Sequence, residues 1–117
     1  MNFKCNFFEW NDSLLINIEQ NRYIDGDYEL LEAALYADID ADVRVIDEVS
    51  DIMSGKSGTC DIGGDITSIL CSKEKTLITW EPVKDDATCE LPTWLFKEIV
   101  EVWIKAVKEY KSKKLNK

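Results

Sequence analysis

Residues 92–110, Pro92-Thr93-Trp94-Leu95-Phe96-Lys97-Glu98-Ile99-Val100-Glu101-Val102-Trp103-Ile104-Lys105-Ala106-Val107-Lys108-Glu109-Tyr110, decide the fold. Phe96, Ile99, Val100, Trp103, Val107 and Tyr110 recur at spacings of 3, 1, 3, 4 and 3, which is one stripe of an α-helix. Leu95, Val102 and Ala106 widen the stripe, while Lys97, Glu98, Glu101, Lys105, Lys108 and Glu109 take the other face. Lys111, Lys113 and Lys114 follow at the C-terminal end, where the helix dipole favours cations. A helix with one apolar side must bury it, and the only extended apolar partner available is a sheet.

That sheet is written upstream. Phe3-Lys4-Cys5-Asn6-Phe7 alternates apolar and polar, Asn11-Asp12-Ser13 is turn chemistry, and Leu14, Ile16 and Ile18 share a face. Phe3–Trp10 and Leu14–Glu19 therefore read as a hairpin. Gly63-Gly64 suits a second hairpin turn between Thr59–Ile62 and Asp65–Cys71. Lys73-Glu74-Lys75 is a further turn before a strand over Thr76–Val83, with Pro82 near its end.

Between the hairpins the period changes. Asp25-Gly26-Asp27 breaks the chain and offers a cap, and Tyr28, Leu31, Ala34 and Leu35 follow at helical spacing. Val45, Ile46, Val49, Ile52 and Met53 suggest a second helix, begun near Asp42 and stopped by Ser54-Gly55. Ala37–Ala41 is polar enough to be a break, but the pattern fits one bent helix over Tyr28–Met53 as well as two. The expected architecture is a single α+β domain over residues 1–117. An antiparallel sheet of about five strands packs against the C-terminal amphipathic helix and a helical segment after strand 2.

Charge is distributed unevenly over this frame. Residues 1–65 carry 15 Asp/Glu against 4 Lys/Arg, and residues 66–117 carry 8 against 10. From Asp25 to Asp65 only Arg44 and Lys56 oppose the acids. Such a field repels nucleic acid and anionic membrane, whose recognition needs clustered Lys/Arg. It favours fast, salt-sensitive association with a basic protein. Asp25, Asp27, Glu29, Glu32, Asp38, Asp40, Asp42, Asp47, Glu48 and Asp51 are the candidate partner-binding acids. Trp94, at the start of the C-terminal helix, is the candidate exposed anchor, while Trp103 sits on the apolar stripe and reads as core. Solubility alone is the competing reading of the charge.

Catalytic and metal chemistry find little footing. The chain has no His, so Ser/His and Cys/His dyads are excluded. Asp38-Ile39-Asp40-Ala41-Asp42 starts like a calcium loop, but Val43 and Val49 stand where Gly and Glu are needed. Gly55-Lys56-Ser57 resembles the tail of a phosphate loop without its first Gly, since Ser50 occupies that place, and reads as a helix C-cap. Cys5, Cys60, Cys71 and Cys89 contain no Cys-x-x-Cys and read as reduced, mostly buried thiols. No catalytic residue, metal ligand or cofactor is expected. The N-terminus lacks a signal-peptide pattern and no apolar run is long enough to span a bilayer, so the expected location is the cytoplasm.

The layout from about Tyr28 to Tyr110 resembles the small acidic immunity proteins of contact-dependent growth inhibition and related bacterial polymorphic toxin systems. The likeness is carried by Ile46-Asp47-Glu48-Val49, Ile52-Met53-Ser54-Gly55-Lys56-Ser57, the Gly63-Gly64 hairpin, the strand Thr76–Val83 and the Glu90-Leu91-Pro92-Thr93 lead into a Trp-bearing helix. The resemblance implies one cytoplasmic domain that binds a cognate toxin C-terminal domain, usually a nuclease, 1:1 and neutralises it, without contacting nucleic acid or membrane. Charge reversal at Asp38, Asp40 and Asp42 together is then expected to slow association. The competing expectation is an acidic intracellular adaptor or regulator of another basic protein, also without enzymatic activity.

Overall fold

The computed structural model describes residues 1–81 and 86–115. In chain order the elements are β1 (Cys5–Trp10), β2 (Ser13–Ile18), β3 (Asp25–Gly26), α1 (Tyr28–Ala33), a π-helical turn (Ala34–Ile39), α2 (Arg44–Ser54), β4 (Cys60–Asp61), β5 (Thr67–Cys71), β6 (Lys75–Trp80), β7 (Thr88–Pro92) and α3 (Thr93–Leu115). The fold is α+β, with an antiparallel five-stranded sheet in the order β3-β7-β6-β5-β4 and a separate two-stranded ribbon β1-β2. The expected end of the β6 strand at Pro82 and Val83 lies outside the described residues.

Both sequence hairpins form. β1 and β2 pair from Cys5↔Ile18 to Trp10↔Ser13, closed by Asn11 and Asp12 at φ 50° and 61°. Two positive-φ residues make the turn whose twist matches the strands, and Asn and Asp tolerate it best after Gly. The ribbon does not join the main sheet, however. Its place among the five strands is taken by β7 and the two-residue β3, where Asp25 pairs with Glu90 and Gly26 with Cys89. Thr88–Pro92 alternates exposed and buried residues as a strand should, a signal hidden because Glu90–Thr93 also reads as a helix lead-in.

Gly26 shows how closely β3 approaches its neighbour. Its φ is +109°, and a Cβ there would stand 2.1 Å from the Thr88 carbonyl oxygen. A two-residue edge strand can peel away to relieve that contact, so Gly26→Ala should cost about 1–2 kcal/mol, the scale of backbone strain plus a few edge contacts. Urea denaturation checks this, and a change under about 0.5 kcal/mol, the ordinary surface range, would contradict it.

One face of the main sheet is covered. Thr67, Ile69, Cys71, Thr76, Ile78, Cys89 and Leu91 point inward, and α1, α2 and α3 supply Leu30, Leu31, Val49, Ile52, Leu95, Phe96, Ile99, Val100 and Trp103. α3 packs on α2, β2, β6 and β7, so its buried arc is wider than the expected stripe and takes in Ile104. Phe7 of the ribbon stacks on Trp103 with ring centroids 6.4 Å apart, which seats the ribbon against α3.

The helical segment is two helices, divided at Asp40–Val43. Asp27 caps α1, its carboxylate accepting from the Glu29 amide at 2.9 Å. Gly55 ends α2 at φ 85°, its amide donating to the Ile52 carbonyl at 3.2 Å, so Gly55-Lys56-Ser57 is a C-cap and its exit. No helix among the described residues is long and apolar enough to cross a membrane.

Candidate functional site

The acids from Asp25 to Asp65 form one field in sequence and two groups in space. Asp25 lies in β3 and Asp27 beside it, at one edge of the sheet, while Asp61 lies in β4 at the other. Asp27, Asp25 and Glu32 act electrostatically on Cys89 of β7, whereas Asp61 and Glu48 act on Cys71 of β5.

Half of the candidate acids are occupied within the fold. Asp27 caps α1. Glu32 is half-buried and accepts from the Ile18 amide at 2.8 Å, tying α1 to β2. Asp38 accepts from the Thr67 amide at 2.7 Å, from the Thr67 hydroxyl and from the Ile66 amide at 3.3 Å, so it holds the start of β5. Asp40 pairs with Lys111 at 3.4 Å and has φ 46°, a strained value for a non-glycine residue. Asp42 receives Arg44 through Nε at 2.9 Å, Nη2 at 2.8 Å and the backbone amide at 3.1 Å. These bonds hold its carboxyl below the usual aspartate range. The Asp38-Asp40-Asp42 carboxylates are thus spent on Thr67, Lys111 and Arg44 rather than gathered around a common point.

The remaining acids face solvent. Asp25 and Glu29 are exposed near the start of α1. On α2, Asp47 and Glu48 are exposed and Asp51 half-buried, and none of the three side chains has a hydrogen-bond or ion-pair partner among the described residues. Asp47 and Asp51 lie opposite the buried Val45, Val49 and Ile52, and Glu48 flanks that stripe, four residues before Ile52. Asp47 and Asp51 are four residues apart and Glu48 and Asp51 three, spacings at which like charges repel. Asp51 also sits in a last turn without basic residues, where the dipole disfavours an anion. Trp94, 40% exposed, meets Tyr23 edge-on at 5.2 Å, and Arg22 lies 4.7 Å over the Tyr23 ring.

Burial pushes the Glu32 carboxyl above the ordinary glutamate range; the Ile18 amide opposes this, and Glu29 and Asp27 reinforce it. A carboxyl raised by folding contributes stability that is complete below its unfolded value, about 4.3, and is lost as pH rises through the folded value. Glu32→Gln keeps an acceptor for Ile18 and removes the charge. The variant should therefore resist urea better than the parent at pH 7 and equal it near pH 4. A lower midpoint at pH 7 would contradict this assignment of the shift.

A concave site also exists that sequence spacing did not disclose. A cleft of about 410 Å³ lies between the β1–β2 turn, the π-helical turn and the C-terminal part of α3. Leu14, Leu15, Trp103 and Val107 make its apolar wall, and Tyr36, Asp12, Asp40, Tyr110, Lys111 and Lys114 its mouth. Lys114 bridges Asp12 at 2.8 Å and Glu9 at 3.6 Å, and the Tyr110 hydroxyl donates to Glu9. No sequence signal marks it: one wall is the π-helical turn, a form that recurs at functional sites but leaves no simple periodicity. Within the mouth, Lys114 lowers Asp12, while burial and Glu9 raise Tyr110, and Asp12 and Tyr110 raise Lys114. Each shift moves its group further from neutrality, whereas acid–base catalysis needs a group brought towards it. The cleft thus joins an apolar wall to a charged mouth.

Compared with known proteins, this chain matches no family model, no curated protein sequence and no solved structure.

Proposed function

We propose that the protein is a toxin-neutralising immunity protein that binds one basic partner domain, a nuclease in the first instance, in the cytoplasm, 1:1 and without enzymatic activity or cofactor. The observation that carries the reading is the solvent face of α2. Asp51 stands at mutually repulsive spacing from Asp47 and Glu48, at a cost to the helix of about 0.2–0.5 kcal/mol per pair, and the one cation on α2, Arg44, is bonded to Asp42 and acts on Glu48 only electrostatically. A basic partner relieves that repulsion on binding. A nuclease must present Lys/Arg to hold polyphosphate, so its cleft or rim supplies the complementary field. Long-range attraction then speeds encounter, and buried anchors supply affinity. The apolar cleft beside Trp103 suits an anchoring side chain of the partner, and Trp94 with Tyr23 suits a second contact.

The test is capture of partners by tagged protein from the source cell, eluted by a salt step and identified by mass spectrometry. Recovery of one basic toxin-like domain at equal stoichiometry, with loss of its nuclease activity on mixing, is the expected result. Recovery of a basic housekeeping protein instead would replace this reading with that of an acidic adaptor or regulator.

A further inference from the structure

Cys60 and Cys71, eleven residues apart in sequence, are direct partners in the β4–β5 ladder. Opposed residues of an antiparallel pair point to the same face, with Cα atoms about 4.5–5.5 Å apart and Cβ atoms about the same. A disulfide needs Cα atoms about 4.4–6.8 Å apart and Cβ atoms about 3.5–4.5 Å apart. The Ile62 amide donates to the Ile69 carbonyl at 2.9 Å, so Cys60 and Cys71, two residues along, are a hydrogen-bonded pair at the wide end of these ranges, with Cα atoms already in disulfide range and Cβ atoms that must close by about 1 Å. β4 is a two-residue edge strand, the element of the sheet best able to make the small inward shift.

The two thiols are unequal. Cys71 is fully buried, and burial pushes its thiol up to about 11. Its proton is also committed. The Thr93 hydroxyl donates to the Ser72 carbonyl at 2.6 Å, so its 2.9 Å bond with Thr76 must take the Thr76 proton. Thr76 is left as the acceptor at 3.3 Å from Cys71, whose S–H supplies the proton. Cys60 is partly buried at the sheet edge. Asp61 and Glu48 act electrostatically on Cys71, a surrounding that repels an anionic oxidant such as a glutathione species and admits a small neutral one.

We propose that Cys60 and Cys71 form an oxidation site for hydroperoxides, with Cys60 as the attacked thiol and Cys71 as its resolving partner. The Cys60 thiolate sulfur attacks one peroxide oxygen, and the O–O bond breaks. Cys60 becomes a sulfenic acid and the remaining oxygen leaves, protonated, as water or an alcohol. The Cys71 sulfur then attacks the Cys60 sulfur; the S–S bond forms and the S–O bond breaks. The departing hydroxide takes the Cys71 proton as water, so the two thiols have given two electrons and two protons to one peroxide. The bond staples β4 to β5 and releases Thr76 from its sulfur partner.

The test treats the folded, reduced protein with hydrogen peroxide, traps free thiols, and maps cross-linked peptides by mass spectrometry. The expected product is a monomer lacking two hydrogens, with Cys60 joined to Cys71 and Cys5 and Cys89 free. The preference for this pair should be about tenfold or more over any other, and should be lost when oxidation is done in denaturing urea. Cys60→Ser should abolish the cross-link, and Cys5→Ser should leave it intact. A sulfinic acid on Cys60 without a cross-link, a bond through Cys5 or Cys89, a Cys60-linked dimer or an unchanged thiol count in the folded protein would each overturn the proposal.

Discussion

Replacing Asp38 with alanine should cost about 3–4 kcal/mol of folding stability. One carboxylate accepts from the Thr67 amide, the Thr67 hydroxyl and the Ile66 amide. Bonds to an ionised acceptor contribute about 1.5–3 kcal/mol each, and a buried donor left unpaired costs about 1–3 kcal/mol. Thr67 has no exposed surface, so in the folded chain its donors depend on the carboxylate. The contributions overlap because all three donors share one acceptor group, which sets the total below their sum. Asp38→Asn retains one acceptor oxygen and should lose about half as much. Both changes should lower the urea midpoint at unchanged slope. An Asp38→Ala midpoint within about 0.5 kcal/mol of the parent would show that β5 is held by something else. Charge reversal at Asp38, with Asp40 and Asp42, would consequently report on folding before it reported on binding.

The acids of α2 should behave in the opposite way, with little effect on stability and a large effect on association. Asp47→Lys, Glu48→Lys and Asp51→Lys together change the formal charge from −9 to −3, three reversals of two units each. Asp47 is in the first turn, where losing an anion costs about 0.3–1 kcal/mol, and Asp51 is in the last, where gaining a cation returns about as much. None of the three gives up a hydrogen bond among the described residues, so the triple variant should unfold within about 1 kcal/mol of the parent. Its association with a basic partner should be about 10–100-fold slower at low salt, because steering depends on the summed field. At high salt the two proteins should converge, as the field is screened within about 10 Å. A variant that unfolds early would instead place these acids with Asp38, as parts of the fold.

The contrast between Asp38 and the α2 acids marks the limit of what was legible in the sequence. Periodicity disclosed α3, the ribbon, the Gly63-Gly64 hairpin and both helix caps, because each is specified by neighbours within a turn or two. Gly63 is required there in earnest: a Cβ on it would meet the Thr67 carbonyl oxygen at 2.2 Å. The membership of the main sheet was less legible. β3 is two residues long and exists only through its pairing with Cys89 and Glu90, a contact more than sixty residues distant. The candidate acids were legible as a set and not as individuals. Nothing local distinguishes Asp38, which reaches Thr67 across 29 residues, from Asp47, which faces solvent. The cleft was illegible for a related reason: its walls come from the β1–β2 turn, the π-helical turn and α3, three segments joined only by packing. The Cys60–Cys71 pairing likewise needed the register of β4 on β5, which an eleven-residue spacing alone does not fix.

The central claim is that the α2 face steers a basic toxin domain onto this protein. The most direct test is the association rate of the captured domain with the parent and with the α2 triple variant, at about 50 mM and about 500 mM salt. The account predicts a fall of about 10–100-fold for the variant at low salt and near-equality at high salt. Equal rates for the two proteins at low salt would contradict it.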